Sequence, residues 1–239
     1  MLNLPDAMLY GLDDTALVPY QSGDKHTFLL EAATAQAFSK MQMAARHDGI
    51  VLEVASAHRS FQRQLHIWNG KARGERPLLN ANAEPIADIR QLPPNELLQT
   101  ILLWSALPGT SRHHWGTDID LFDNSQLQRA QLQLVNHEYQ PGGPCFAMHQ
   151  WLSAHAQRFG FFRPFQAGLS GTSAELWHYS YHPVAEQRLK RYRLQHLETL
   201  LAASDICLKA VILEQLPALV KRYVFTVAPA PTAPTSNSS

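Results

Sequence analysis

Residues 117–122 (TDIDLF) constrain this 239-residue chain more than any other stretch. They alternate as a β-strand does, with successive side chains on opposite faces. Asp118 and Asp120 therefore share one face, while Ile119 and Leu121 share the other. Burying such a carboxylate costs on the order of several kcal/mol unless a cation compensates it. The preceding run, Ser111-Arg112-His113-His114-Trp115-Gly116, ends a Pro/Gly loop and brings an imidazole close to these acids. Two readings fit equally well. Either His113 and one strand carboxylate hold a metal, or Asp118 pairs with an arginine and His113 caps the loop.

Composition narrows the setting. With 45% hydrophobic and 17% charged residues, the chain is neither disordered nor collagenous, and its length suits one well-cored domain. That domain is expected over residues 1–227, with a helical C-terminal extension from about 184. Residues 228–239, rich in Pro, Ser, Thr and Ala, are expected to form a disordered tail. Twenty Lys+Arg balance 20 Asp+Glu, so no global field favours nucleic acid. Cys145 and Cys207 are too few for a disulfide framework or a thiolate zinc site, though a single bridge stays open. The 12 histidines fit a metal held by imidazole and carboxylate, and equally fit surface histidines without a role. No window approaches the roughly 20 apolar residues of a membrane span. The N-terminus has no basic start or apolar run and carries Asp6, Asp13 and Asp14, so a cytoplasmic location is expected for the sequence as written. A periplasmic location is the alternative if a leader is missing from it.

Helix and strand signals alternate along the chain. Residues 28–46 read as a helix stopped by Gly49, 50–57 as a buried strand, and 60–69 as a second helix. Residues 77–94 read as loop, 95–104 as a helix capped by Asn95, 146–159 as an amphipathic helix and 174–181 as a strand. Two helices are expected over 184–203 and 205–222, whose Leu197, Leu200, Leu201, Ile206, Leu213 and Leu216 suit core packing better than partner docking. The pattern predicts an α+β fold with a small, mostly antiparallel sheet and flanking helices.

Two further clusters carry chemistry. Glu175-Leu176-Trp177-His178 offers a base and a metal ligand, but residues three apart face opposite sides of a strand, so the strand must end or twist near Trp177. His178 and His182 would share a helix face, which Pro183 argues against. Ser56-Ala57-His58-Arg59-Ser60 joins a buried strand to a helix and presents Arg59, suited to a carboxylate or an oxyanion, or to an ordinary ion pair.

In this order the three clusters resemble the zinc D-alanyl-D-alanine carboxypeptidase family, which includes VanY- and VanX-type enzymes and shares its fold with the hedgehog signalling domain. S-x-x-R-S-x-x-x-Q matches Ser56, Arg59, Ser60 and Gln64; S-x-H-x-x-G-x-[AD]-x-D matches Ser111, His113, Gly116, Asp118 and Asp120; E-x-W-H matches Glu175, Trp177 and His178. The resemblance covers about residues 44–181. It implies one zinc ion on His113, Asp120 and His178, with Glu175 as the base for attack by zinc-bound water. Arg59 would polarise the scissile carbonyl or anchor the terminal carboxylate, with Ser56, Gln64 and Ser111 contacting a peptidoglycan-derived peptide. Asp118 is then expected to hydrogen-bond a ligand histidine, and His58 and His114 to line the cleft. Residues 74–94 and 141–144 are expected to shape the pocket. The implied activity is removal of a C-terminal D-amino acid. D,D-dipeptidase, L,D-carboxypeptidase and endopeptidase activities, or a non-catalytic zinc-stabilised binding module, are the alternatives.

Overall fold

The computed structural model of the chain describes residues 4–23, 25–80, 84–86 and 88–230. A hairpin pairs β1 (Val18–Gln21) with β2 (Thr27–Leu30). The main sheet is antiparallel throughout, in the order β3 (Leu52–Ser56), β4 (Asp118–Asp123), β6 (His178–Tyr181), β5 (Phe161–Phe162). Helices α1 (Ala32–His47) and α4 (Phe146–His155) contribute Phe38, Met41, Met148 and Leu152 to a core with the apolar side chains of this sheet. A second core joins α2 (Phe61–Ala72) and α3 (Pro94–Leu102) to α5 (His182–Arg191), α6 (Leu194–Ala203) and α7 (Lys209–Val220). The α+β architecture with a small antiparallel sheet is thus the one predicted. No helix among the described residues is long and apolar enough to cross a membrane.

Several boundaries move for local physical reasons. The predicted helix over 28–46 starts only at Ala32, because residues 28–30 pair with β1 and the Glu31 carboxylate caps α1 by accepting the Ala33 and Thr34 N–H groups at 3.0 and 2.8 Å. Asn95 is not an N-cap. Pro93 holds that position, Pro94 opens α3 where its missing N–H costs nothing, and the Asn95 side chain instead accepts from Gln215 Nε2 at 2.6 Å. The helix expected over 184–203 is two, broken at Tyr192 and Arg193. The Tyr10 hydroxyl accepts the Arg193 N–H at 3.0 Å and donates to its carbonyl at 2.9 Å, so that peptide is held by the N-terminal segment rather than by a helix.

After α7 the chain makes a wider π-helical turn, Lys221–Phe225, and then returns toward the sheet. Ala228, expected in a disordered tail, is buried and its N–H donates to Pro164 O at 2.9 Å. Residues 231–239 of that expected tail lie outside the described residues. Leu197, Leu200, Leu201, Ile206 and Leu216 are buried together, so the C-terminal helices are core. Cys145 and Cys207 are both free thiols.

One row across the sheet positions the site. Ser56 on β3 stands opposite Asp120 on β4 after a bulge in β3, and Asp120 stands opposite His178 on β6. Residues from all three sequence clusters therefore meet at one level of the sheet.

Candidate active site

His113 arrives on a short 3-10 turn, Arg112–Trp115, which Gly116 ends at φ 66°. A Cβ there would meet Leu17 Cδ2 at 2.7 Å and the Glu31 N at 3.0 Å, so only glycine lets the chain turn into β4 at this point. His113 Nε2 lies 3.2 Å from Asp120 Oδ2, and His178 Nδ1 lies 3.0 Å from Asp120 Oδ1. His113, Asp120 and His178 are buried, and each offers one ligand atom within 4.8 Å of the others. His178 is the first residue of β6, and residues 174–177 are not strand as predicted. That early end of the strand lets Glu175 turn back, with Oε2 3.5 Å from His178 Nδ1.

Electrostatics mark a place for a cation. Burial alone would raise the Asp120 carboxyl, but the His113 and His178 rings outweigh it and hold it well below the usual range. Burial opposes charge on His178, yet its bonds to Asp118 and Asp120 raise it to about 10. His113 is kept neutral chiefly by burial, and its Nδ1 is buried without a hydrogen-bond partner. Burial pushes Glu175 up to about 7 against the opposing charge of His178. Two imidazoles and one carboxylate opening onto a cleft form a donor set that suits a zinc ion with a free coordination position.

Asp118 turns away from the cleft. Its Oδ1 accepts from Arg112 Nε at 2.8 Å and faces His178 Nε2 at 2.9 Å, while Oδ2 accepts from Thr117 Oγ1 at 2.6 Å and Ser180 Oγ at 3.0 Å. Both readings of Asp118 therefore hold: it pairs with an arginine, and it hydrogen-bonds the far nitrogen of a candidate ligand.

The cleft has a volume of about 280 Å³ and is lined by Arg59, Ser111, His113, Asp120, Glu175 and His178, among others. Ser56 and Gln64, expected to touch substrate, do not line it. Ser56 Oγ accepts from Arg59 Nη2 at 3.2 Å and Gln64 Oε1 from Nη1 at 2.8 Å, so both hold the guanidinium. His58 and His114 do not line it either. Gly109 N–H donates to His114 Nε2 at 3.0 Å, which leaves Nδ1–H to donate to Arg59 O at 2.6 Å, and burial depresses this ring to about 3. Residues 141–144 are also absent from the lining, which residues 133–135 supply instead, while Leu79 represents the expected 74–94 segment. Leu134 holds a left-handed φ of 56°, stabilised by Glu138, whose carboxylate accepts the Gln133 and Val135 N–H groups at 3.0 and 3.2 Å.

Sequence reasoning missed several site residues. Asn136 donates to Ala174 O at 2.9 Å and accepts from Leu176 N at 3.3 Å, clamping the backbone on both sides of Glu175. The Phe165 and His178 ring centroids are 4.6 Å apart, and Tyr223, from the C-terminal turn, lines part of the cleft. None of these sits in a recognisable motif; only the fold brings them to the site.

Comparison with known proteins agrees with this geometry. The family described as VanY: D-alanyl-D-alanine carboxypeptidase matches residues 27–184. An uncharacterized protein of Haemophilus influenzae is 32% identical over 121 residues, 49% of this chain and 92% of that protein. A D-alanyl-D-alanine carboxypeptidase of Enterococcus faecalis is 28% identical over 141 residues, 58% of this chain and 42% of that protein. The solved LD-carboxypeptidase LdcB shares the fold, with a TM-score of 0.53 and 17% identity over 84% of this chain and 78% of that one. The family match spans more than half of the sequence and contains the whole His113, Asp120, Glu175 and His178 cluster. The chain therefore belongs to the VanY D-alanyl-D-alanine carboxypeptidase family and is a metallopeptidase.

Proposed function

We propose that this metallopeptidase binds one zinc ion through His113, Asp120 and His178 and removes the C-terminal D-amino acid from peptidoglycan peptides. The observation that carries the reading is the buried Asp120 carboxylate between two imidazoles on a cleft wall, with Glu175 beside them and Arg59 lining the same cleft. The family match supports the substrate class.

Zinc, when bound, supplies a Lewis acid that acidifies water and polarises a carbonyl. The protein's own groups do the rest. Glu175 takes a proton from the attacking water as its oxygen bonds to the peptide carbonyl carbon. Arg59, aligned by Ser56 and Gln64, donates to the carbonyl oxygen as negative charge develops there. When the C–N bond breaks, Glu175 passes the proton to the leaving amine. Asp118 keeps the His178 ring in orientation by holding Nε2, so that Nδ1 faces Asp120 and the cation position.

Product masses from a panel of peptides test this. Incubation with the zinc-loaded protein should release a single D-alanine from a peptide ending in D-Ala-D-Ala, and a chelator should stop the release. A dipeptide product, cleavage of an L,D bond or an internal cut would reassign the same residues to another peptidase activity. No cleavage of any peptide would favour a binding module.

A further inference from the structure

Lys71 is a cation of the cleft that the mechanism does not use. It lies in the last turn of α2 and lines the cleft beside Arg59, Leu79, Leu102 and Trp104. Among the described residues its ammonium makes no ion pair or hydrogen bond. The acids of the cleft are already engaged: Asp120 with His113 and His178, and Glu175 with His178. Burial, and after it the charges of Arg59 and Arg76, bring the Lys71 ammonium down to about 8, so it remains mostly protonated at neutral pH. A partly buried ammonium without an acid is expensive, and the cost is recovered when a bound molecule brings the anion. Arg59 is less free to serve, because Ser56 and Gln64 already hold two of its guanidinium nitrogens.

We propose that Lys71 binds a carboxylate of the substrate, so that the enzyme selects peptides with a free acid group at this end of the cleft and leaves Arg59 to the scissile carbonyl. The inference rests on the peptidase reading above and narrows its substrate class. Two carboxylates could fill the place: the peptide's C-terminus or an acidic side chain.

Steady-state kinetics of the zinc-loaded wild type, Lys71→Met and Lys71→Arg test it. Three peptides are compared: one ending in D-Ala-D-Ala as the free acid, its C-terminal amide, and the free acid with its acidic side chain converted to an amide. Lys71→Met should lower kcat/KM on the first peptide about 10- to 100-fold, mainly through KM, in line with a lost charge-assisted hydrogen bond. Lys71→Arg should restore most of that loss. If the C-terminus is the partner, the gap between wild type and Lys71→Met closes on the amide; if the side chain is the partner, it closes on the third peptide. Equal kcat/KM for wild type and Lys71→Met on the first peptide, or the same loss on all three, would overturn the proposal. Calorimetric titration of the same peptides into zinc-loaded Glu175→Gln, with and without Lys71→Met, reads the preference without turnover. A wild type that cleaves none of them would sink the peptidase reading while this titration still decides the role of Lys71: a carboxylate-dependent difference supports it, and equal affinity overturns it.

Discussion

Asp118 receives hydrogen bonds from Arg112, Thr117 and Ser180 and faces His178, yet it does not line the cleft. Asp118→Asn should therefore lower zinc affinity about 10- to 100-fold, measured by competition with a chromogenic chelator. It should also destabilise the fold by about 3–5 kcal/mol, because Arg112 would stay buried without its charge partner. Unchanged zinc affinity would show that the His178 ring needs no such anchor. Asn136 acts one step further from the chemistry, by holding the peptides on both sides of Glu175. Asn136→Ala should reduce kcat by about 10- to 100-fold while zinc content and KM stay close to wild type, as expected when a base is misplaced rather than removed. A fall in zinc content would instead assign Asn136 to the integrity of the whole site.

The C-terminal helices α6 and α7 lie beyond the family match, yet they share a core with α2 and α3, and the turn after α7 brings Tyr223 to the cleft. Leu201 is fully buried there, and Leu201→Ala should cost about 2–5 kcal/mol, read as a lower midpoint in denaturant. A near-neutral result would mean that this layer packs loosely and carries little of the stability. The elements also show what the sequence could and could not reveal. β3, β4 and α2 were legible because apolar periodicity and flanking polar residues marked them locally. The hairpin strand β2 falls within a stretch whose periodicity predicts a helix, because Phe28, Leu29 and Leu30 fit either period, and only pairing with β1 decides between them. The break at Arg193 depends on the Tyr10 hydroxyl, 183 residues away, which no local pattern encodes. At the site, the spacing of His113, Asp120, Glu175 and His178 carried a readable signal. The roles of Ser56 and Gln64 did not, since sequence places them near Arg59 without saying that their side chains turn to it.

Across the whole molecule, the cleft lies on the seam between the two cores. Leu134 and Trp177 come from the sheet side, while Leu102 and Tyr223 come from the helical side. Three carboxylates, Asp118, Asp120 and Glu175, surround His178 in this seam. A divalent cation bound by His113, Asp120 and His178 would tie the Arg112–Trp115 turn to strands β4 and β6. Zinc at 100 times its Kd should raise stability by about 2.7 kcal/mol, seen as a higher Tm that chelation reverses. The central claim is that His113, Asp120 and His178 hold the metal while Glu175 moves the proton. Zinc content and D-alanine release, determined together on one preparation of Glu175→Gln, address it most directly. The account predicts one zinc per chain, as in the wild type, with release reduced by several orders of magnitude. Release at the wild-type rate, or loss of the zinc, would contradict it.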